Sequence, residues 1–210
     1  GGGPDPDTNF KLRVVIEKAR GSNMPKDNID RALARAQSSA ENIEEATYEG
    51  FGPCGIAVLV TVATDNKNRT GQVIKNLFER VGGNLGGPGS VSFNFVSKGY
   101  FVAKKEGNIE DLMLELIDLG AEDVEEMDGS IEVYTAPDKL SETRKKVEEA
   151  GFEISDLELY MKPVNTVKID NTGDAQKVIN FLDSLNDDDD VQKVSDNSEI
   201  SDEIMAQLNK

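Results

Sequence analysis

Apolar positions recur along this chain in two rhythms, and the change from one to the other divides it. Between Phe10 and Arg20, Leu12, Val15, Ile16 and Ala19 fall three to four apart on one helical face. Lys11, Arg13, Lys18 and Arg20 lie mostly off that face, and Gly21-Ser22-Asn23 stops the helix. Pro25 suits the first turn of a second helix, where its missing N–H costs nothing. Asp27 and Asp30 suit the positive end of that helix dipole, and Ile29, Ala32, Leu33 and Ala36 form its apolar stripe. The pattern predicts a short helical hairpin, basic on its outer side and too small to be stable alone. The opening Gly1-Gly2-Gly3-Pro4-Asp5-Pro6-Asp7 is turn-rich and irregular.

From Thr47 the rhythm changes. Ile56 to Val62 is a dense β-branched run, read as a buried strand. Asn68 to Val81 reads as a helix with Val73, Ile74, Leu77 and Phe78 inward. A glycine-rich loop, 82–89, leads to alternating Val91, Phe93 and Phe95, read as a second strand. Residues 99–162 then predict strand Tyr100–Ala103, helix Ile109–Leu119, strands Asp123–Glu126 and Ile131–Tyr134 joined through Asp128-Gly129, helix Pro137–Ala150 and strand Phe152–Tyr160. That order is the ferredoxin-like β-α-β-β-α-β pattern. Thr166–Ile169, Ala175–Leu185 and Val191–Val194 supply another β-α-β, and Ser198–Lys210 a weak helix capped at Ser198 or Ser201.

The predicted fold is therefore α+β: an N-terminal helical hairpin domain (1–46) plus two ferredoxin-like α/β domains, one inserted into the other. The central domain takes 47–98 and 163–197, the insert 99–162, and a tail 198–210 follows. Insertion is expected at points where chain ends lie close together on a domain surface.

Charge sharpens this picture. Residues 1–98 carry a net +1 and residues 99–210 a net −18, within a total of −17. Such a chain should avoid nucleic acid unless its cations are gathered. They are: Phe10 to Arg35 holds seven basic residues against three acids, and a second group lies at Lys67, Arg69, Lys75 and Arg80. Any polyanion contact belongs there, with the acidic half facing elsewhere. The absence of His and the single Cys remove His-based nucleophile and metal chemistry and an internal disulfide framework. No cofactor or metal is called for. Cys54 is read as a buried structural residue at a strand start. No apolar run approaches the ~20 residues of a membrane helix and no signal peptide is visible, so the expectation is cytoplasmic, without a membrane partner. The chain opens on Gly rather than Met, which points to a fragment or a processed form.

Four stretches invite chemistry. The 82–89 loop lacks the Gly-Lys-Ser/Thr ending of a P-loop and does not open a helix. It is either a flexible turn or a place where a sugar-phosphate chain approaches the backbone closely. Asp65 to Thr70 stands where a strand hands over to a helix. Asn68 or Asp65 simply caps that helix, or its exposed N–H groups with Lys67 and Arg69 contact an anion. The hairpin's basic face is either solvated surface or a phosphate-binding face. Asp187–Asp190 lacks the spacing, the central Gly and the distal Glu of a calcium loop, and reads as a solvated turn. The acids of 110–126 and 142–158 read as exposed faces, and nothing places two of them in a cleft for hydrolysis. The residues singled out for nucleic-acid contact are Arg13, Lys18, Lys26, Arg31 and Arg35 on the hairpin, with Asn66, Asn68, Arg69, Lys75 and Asn84 on the central domain. Their role would be phosphate and sugar contact, which positions without reading sequence. No aromatic–basic interleaving of the RNA-binding RNP type is present.

Several local strings coincide in order: Gly1-Gly2-Gly3-Pro4-Asp5-Pro6 with Asn9 and Leu12-Arg13; Asn23-Met24-Pro25-Lys26-Asp27-Asn28-Ile29-Asp30-Arg31-Ala32; Tyr48-Glu49-Gly50-Phe51-Gly52-Pro53; Asp65-Asn66-Lys67-Asn68-Arg69-Thr70; Gly82-Gly83-Asn84-Leu85-Gly86 with Gly89-Ser90-Val91; and Gly120-Ala121-Glu122-Asp123-Val124. Together they closely resemble the YebC family over essentially the whole chain. That family includes bacterial probable transcriptional regulators and the mitochondrial translational activator of cytochrome oxidase. The resemblance implies a helical domain, a central α/β domain and a third domain inserted into it. It implies nucleic-acid binding and control of gene expression, not catalysis or a small-molecule substrate. The bacterial members are described as DNA-binding. Others resemble ribosome-associated translation factors contacting ribosomal RNA or tRNA, which leaves a mitochondrial or plastid location as the alternative. Two departures stand out. Family members usually begin with a further strongly basic segment, so the intact protein is expected to be less acidic than this chain. Cys54 stands where the family commonly has Gly, which narrows the freedom of that turn.

Overall fold

The computed structural model describes residues 9–22, 24–39, 43–127 and 129–208, with the side chains of 10, 11 and 34–39 outside that description. In chain order the elements are α1 (Phe10–Gly21), α2 (Lys26–Ser39), β1 (Glu44–Phe51), β2 (Ala57–Thr64), α3 (Lys67–Arg80), β3 (Asn84–Leu85), β4 (Phe95–Lys104), α4 (Ile109–Asp118), β5 (Asp123–Met127), β6 (Ser130–Thr135), α5 (Leu140–Glu149), β7 (Glu153–Pro163), β8 (Val167–Ile169), α6 (Thr172–Asn186), β9 (Val191–Asp196), β10 (Ser198–Ile200) and α7 (Asp202–Leu208). The fold is α+β. Its contacts gather into two units, one built on Glu41–Val96 with Lys162–Lys210, the other on Gly2–Ala40 with Ser97–Met161.

In the first unit the sheet runs β3-β1-β2-β9. β2 is antiparallel to both β1 and β9, and β1 is antiparallel to β3. The β-branched run makes β2 a central strand. Val58, Val60 and Val62 are fully buried and meet Ile74 and Phe78 of α3 and Ala175, Val178, Phe181 and Leu185 of α6. Phe78 and Phe181 meet edge to face, centroids 4.9 Å apart and 81° between planes. Such a pair adds about 0.5–1.5 kcal/mol beyond its buried area. β8 stays outside this sheet and pairs in parallel with β10.

Four expectations change in this unit. β1 is a strand that the pattern did not show, because its alternation is broken by Glu49 and Gly50. Val91 to Asn94 is not a strand: it includes a 3₁₀ turn, Ser92–Asn94, and β4 begins at Phe95. Its backbone donors at Val91 and Ser92 are spent on a carboxylate instead. Ser198–Ile200 is a strand rather than a helix start. Cys54 is exposed, not buried, in a 3₁₀ turn with φ +59°. That left-handed conformation disfavours any residue with a Cβ.

In the second unit the sheet order β5-β6-β4-β7 is the ferredoxin-like one. β5 and β6 form the expected hairpin, with Gly129 at φ +76°. Phe101, Ala103, Ile131, Val133 and Leu157 face Leu112 and Leu116 of α4 and Leu140 and Val147 of α5. Val14 of α1 joins this core. Val14 and Ile16 are buried while Val15 is 62% exposed, so α1 is rotated from the face its spacing suggested. The rotation brings Glu17 to α5, where it accepts from Ser141 Oγ at 3.1 Å and pairs with Arg144 at 3.4 Å. No helix among the described residues is long and apolar enough to cross a membrane.

Candidate nucleic-acid interface

The first part of the candidate interface is the start of α3. Asn66 caps it, its Oδ1 accepting the Arg69 N–H at 3.1 Å, so the cap is neither Asn68 nor Asp65. The Arg69 guanidinium reaches two carboxylates, Asp65 at 2.8 Å and Asp190 at 3.0 Å. Asp190 also accepts from the hydroxyls of Thr70 at 2.5 Å and Thr64 at 3.0 Å. The Thr70 hydroxyl first and Arg69 next hold the Asp190 carboxyl below its ordinary pKa. Asp190 is thus a tie between the α6–β9 turn and the end of β2, not a solvated member of an acidic run. Arg69 is half exposed, but its charge is already countered.

An open depression of about 550 Å³ lies beside this helix end, lined by Ile43, Glu44, Thr64, Asp65, Asn66, Lys67 and Asn68. Lys67 there pairs with Glu44 at 2.6 Å. The depression holds two carboxylates against one lysine, a poor balance for an anion. Asn68 and Lys75 are seven residues apart, which puts both on one exposed helical face. Lys75 meets Glu79 at 3.7 Å on that face. Arg69 and Lys75 do not share a face. Asn84 follows the far end of α3, about 20 Å from Asn66 by the rise of a fourteen-residue helix.

The second part is the glycine-rich loop. Glu49 of β1 is 8% exposed. Its carboxylate accepts three backbone N–H groups, from Gly89 at 2.8 Å and from Val91 and Ser92 at 2.9 Å. Its own carbonyl accepts from Gly86 N–H at 2.7 Å. Burial would raise the Glu49 pKa; the donors at Gly89, Val91 and Ser92 outweigh it and hold the carboxyl below its ordinary value. The loop is therefore a nest for an internal carboxylate. Those three N–H groups have an anion already, which leaves the exposed Asn84 side chain and the loop's outer surface for any partner. Gly50 beside Glu49 admits this packing: a Cβ there would stand 2.6 Å from Asn84 O and 2.7 Å from Phe78 Cε1.

The third part is the hairpin in the second unit. Lys18 is exposed in the last turn of α1, Lys26 is exposed at the start of α2, and Arg13 is half-buried. Arg31 is exposed, its Nη2 donating to Asn28 Oδ1 at 2.6 Å and its Nε to the Asp27 carbonyl at 3.1 Å. Arg35 lies on α2, with its side chain outside the described residues. The ten candidates thus fall on three segments: Asn66, Asn68, Arg69 and Lys75 at α3, Asn84 by the loop, and the cations on α1 and α2. Sequence reasoning missed Glu49 and the role of Asp190. The one signal for Glu49 was an acid in a strand between an aromatic and a glycine. Among the described residues, no group of His, Cys, Asp and Glu is arranged to hold a metal ion.

Known proteins resemble this chain closely. Residues 43–198 match the model of the TACO1/YebC second and third domain, and residues 1–39 that of the TACO1/YebC N-terminal domain. A probable transcriptional regulatory protein of Dictyoglomus turgidum is 43% identical over 211 residues, 99% of this chain and 84% of that relative. One from Thermotoga maritima is 44% identical over 212 residues, 99% of this chain and 83% of the relative. One from Pseudomonas putida is 44% identical over 211 residues, with 99% and 84% covered. Among solved structures, a conserved hypothetical protein from Aquifex aeolicus matches with a TM-score of 0.83 at 42% identity, covering 97% of this chain and 85% of that one.

Proposed function

Because this chain belongs to the TACO1/YebC family, we propose that it is a nucleic-acid-binding regulator of gene expression without catalytic activity, and that its target is DNA. The observation that carries this is the placement of positive charge. In a chain of net −17, seven cations against three acids fall between Phe10 and Arg35, and Lys18, Lys26 and Arg31 are exposed. Neutralising phosphates with such residues releases counterions and gives affinity without sequence readout. Asn68 and Lys75 on α3 and Asn84 by the loop are secondary contacts. Arg69 contributes least, since Asp65 and Asp190 hold it. The regulatory names of the bacterial relatives support the same reading.

The test is co-sedimentation of the full-length protein with ribosomes over a salt series, with duplex promoter DNA as competitor. Transfer to DNA is the expected result, and a footprint at defined sites would add a sequence preference that the phosphate contacts do not themselves supply. Retention on ribosomes that DNA does not compete away would replace the transcriptional reading with a translational one. In parallel, the triple variant Lys18→Glu, Lys26→Glu, Arg31→Glu should lose affinity. On duplex DNA its salt slope should flatten by about 0.9 for each phosphate that is no longer neutralised.

A further inference from the structure

Phe93 is 77% exposed, and no large apolar side chain among the described residues is more so. Exposing an aromatic ring to this degree forgoes the main gain of having one. The ring is nonetheless firmly mounted. On its N-terminal side, Gly89, Val91 and Ser92 donate to the Glu49 carboxylate. On its C-terminal side, Asn94 is buried. Its Nδ2 donates to the Asn165 carbonyl at 3.0 Å and its Oδ1 accepts from Asn165 Nδ2 at 3.1 Å. Its carbonyl accepts the Val164 N–H at 2.8 Å. A rigid turn that holds an aromatic side chain out in water lowers the ordering cost of binding through it.

We infer that Phe93 is a stacking platform for an unpaired nucleobase, an inference that rests on the nucleic-acid reading above. The occupant follows from charge. Residues 81–97 contain no charged side chain, in a chain where 30% of residues are charged. The charges that bound this stretch in sequence are both cationic, Arg80 and Lys98, the latter paired with Glu122. Glu49, the acid closest to the loop backbone, turns its carboxylate inward onto three N–H groups. A sugar-phosphate chain can therefore run beside Phe93 without meeting a carboxylate from this segment. A basic protein partner would find no acid in it to pair with. An aromatic face stacks on any base, and only an unstacked base offers its own face. The contact selects single strands, loops or flipped bases over regular duplex, and it complements phosphate contacts that make no such distinction.

The experiment is fluorescence anisotropy of the full chain with labelled single-stranded oligonucleotides of mixed sequence, RNA and DNA, and with the matching duplexes. Phe93→Ala, Phe93→Leu and Phe93→Trp are compared with wild type after their unfolding midpoints are shown to be unchanged. Phe93→Ala should weaken single-strand binding about 5- to 150-fold, with the slope of log affinity against log salt unaltered. Trp should preserve or tighten binding, Leu should not restore it, and duplex binding should not move. Wild-type affinity in the Leu variant would overturn stacking and make this an apolar contact. Unchanged binding by Phe93→Ala, with salt-dependent wild-type binding intact, would sink the Phe93 inference alone. No binding by the wild-type chain would sink both readings.

Discussion

In the second unit the chain runs through β4, α4 and β5, then turns back through Gly129 into β6, which takes the slot between β5 and β4. In the first unit the corresponding slot, between β3 and β2, is filled by β1 before the crossover begins. The two sheets thus reach one strand order by different chain orders. The difference shapes the chain beyond each crossover. After β5 a tight hairpin suffices. After β3 the slot between it and β2 is already taken, so no hairpin can return there, and the chain is released as an uncharged glycine-rich loop before it reaches β4. The spatial order of a sheet is a packing solution, and the order of its strands in sequence decides where a long loop can occur.

Each unit also holds a carboxylate on its sheet, and the donors differ. Glu49 is held by backbone N–H groups of the loop. Glu132 accepts the hydroxyls of Tyr100 and Tyr134, both at 2.9 Å. Burial first, and Glu132 next, push both tyrosine pKa values well up. Tyr160 packs against both rings, 5.6 and 6.2 Å away. One carboxylate orders a loop; the other orders side chains on strands that are already paired.

That contrast predicts unequal costs. Glu49→Ala should be the largest, at about 3 kcal/mol or more, because it strands buried N–H groups that had a charged acceptor. Urea unfolding measures it, and hydrogen exchange at Gly89, Val91 and Ser92 should accelerate. A loss below ~1 kcal/mol would show that the loop is ordered by something else. The same group has a pH signature. Its folded pKa lies below the unfolded value of about 4.3, so its stabilisation is full above that pH and is lost as pH falls through the folded pKa. Glu49→Gln should be less stable than wild type at neutral pH, and its stability should fall less steeply between about pH 5 and pH 3. Parallel curves for the two proteins would remove Glu49 from the acid response.

Gly50→Ala should cost about 1–3 kcal/mol by forcing Asn84 and Phe78 apart, and it should loosen β3 in hydrogen exchange. Tyr134→Phe in the second unit should cost only about 1 kcal/mol, since Glu132 keeps Tyr100 and the ring stays packed. A cost equal to that of Glu49→Ala would erase the distinction between the two carboxylates. The smallest effect has the opposite sign. Cys54→Gly relieves a left-handed backbone at an exposed position and should stabilise by about 0.5 kcal/mol, the strain relief partly offset by unfolded-state entropy. Thermal unfolding would detect it, and a loss of stability would mean that the Cys54 side chain, which partial desolvation by its neighbours and the Asp174 charge push up in pKa, makes a contact worth keeping.

What was legible in the sequence came from local pattern. β2 came from its β-branched run, α3, α4 and α6 from their spacing, and the β5–β6 hairpin from Asp128-Gly129. What was hidden depends on partners far along the chain. Glu49 meets its loop some forty residues away, so neither β1 nor the absence of a strand at Val91 can be read from neighbours. Arg69 finds Asp190 121 residues away, beyond the 97–161 stretch, so its residue type suggested a phosphate contact while its charge was already matched. The hairpin cations were legible as types and positions, but the rotation of α1 was not, because it is set by Val14 and Glu17 meeting α5.

The pairing of β2 with β9 has a consequence for how this protein is made. β9 lies more than a hundred residues downstream of β2. At ordinary translation speeds it leaves the ribosome on the order of 10 s later. Through that interval the β1–β2 hairpin presents the Ala57–Thr64 run as an open hydrophobic edge, the kind that invites pairing with another chain. The second unit has every strand of its own sheet between Phe95 and Pro163 and can mature first. Synthesis thus sets an order of assembly in which the interrupted sheet closes last, and slow or paused elongation through 97–190 lengthens the exposure of its most apolar strand.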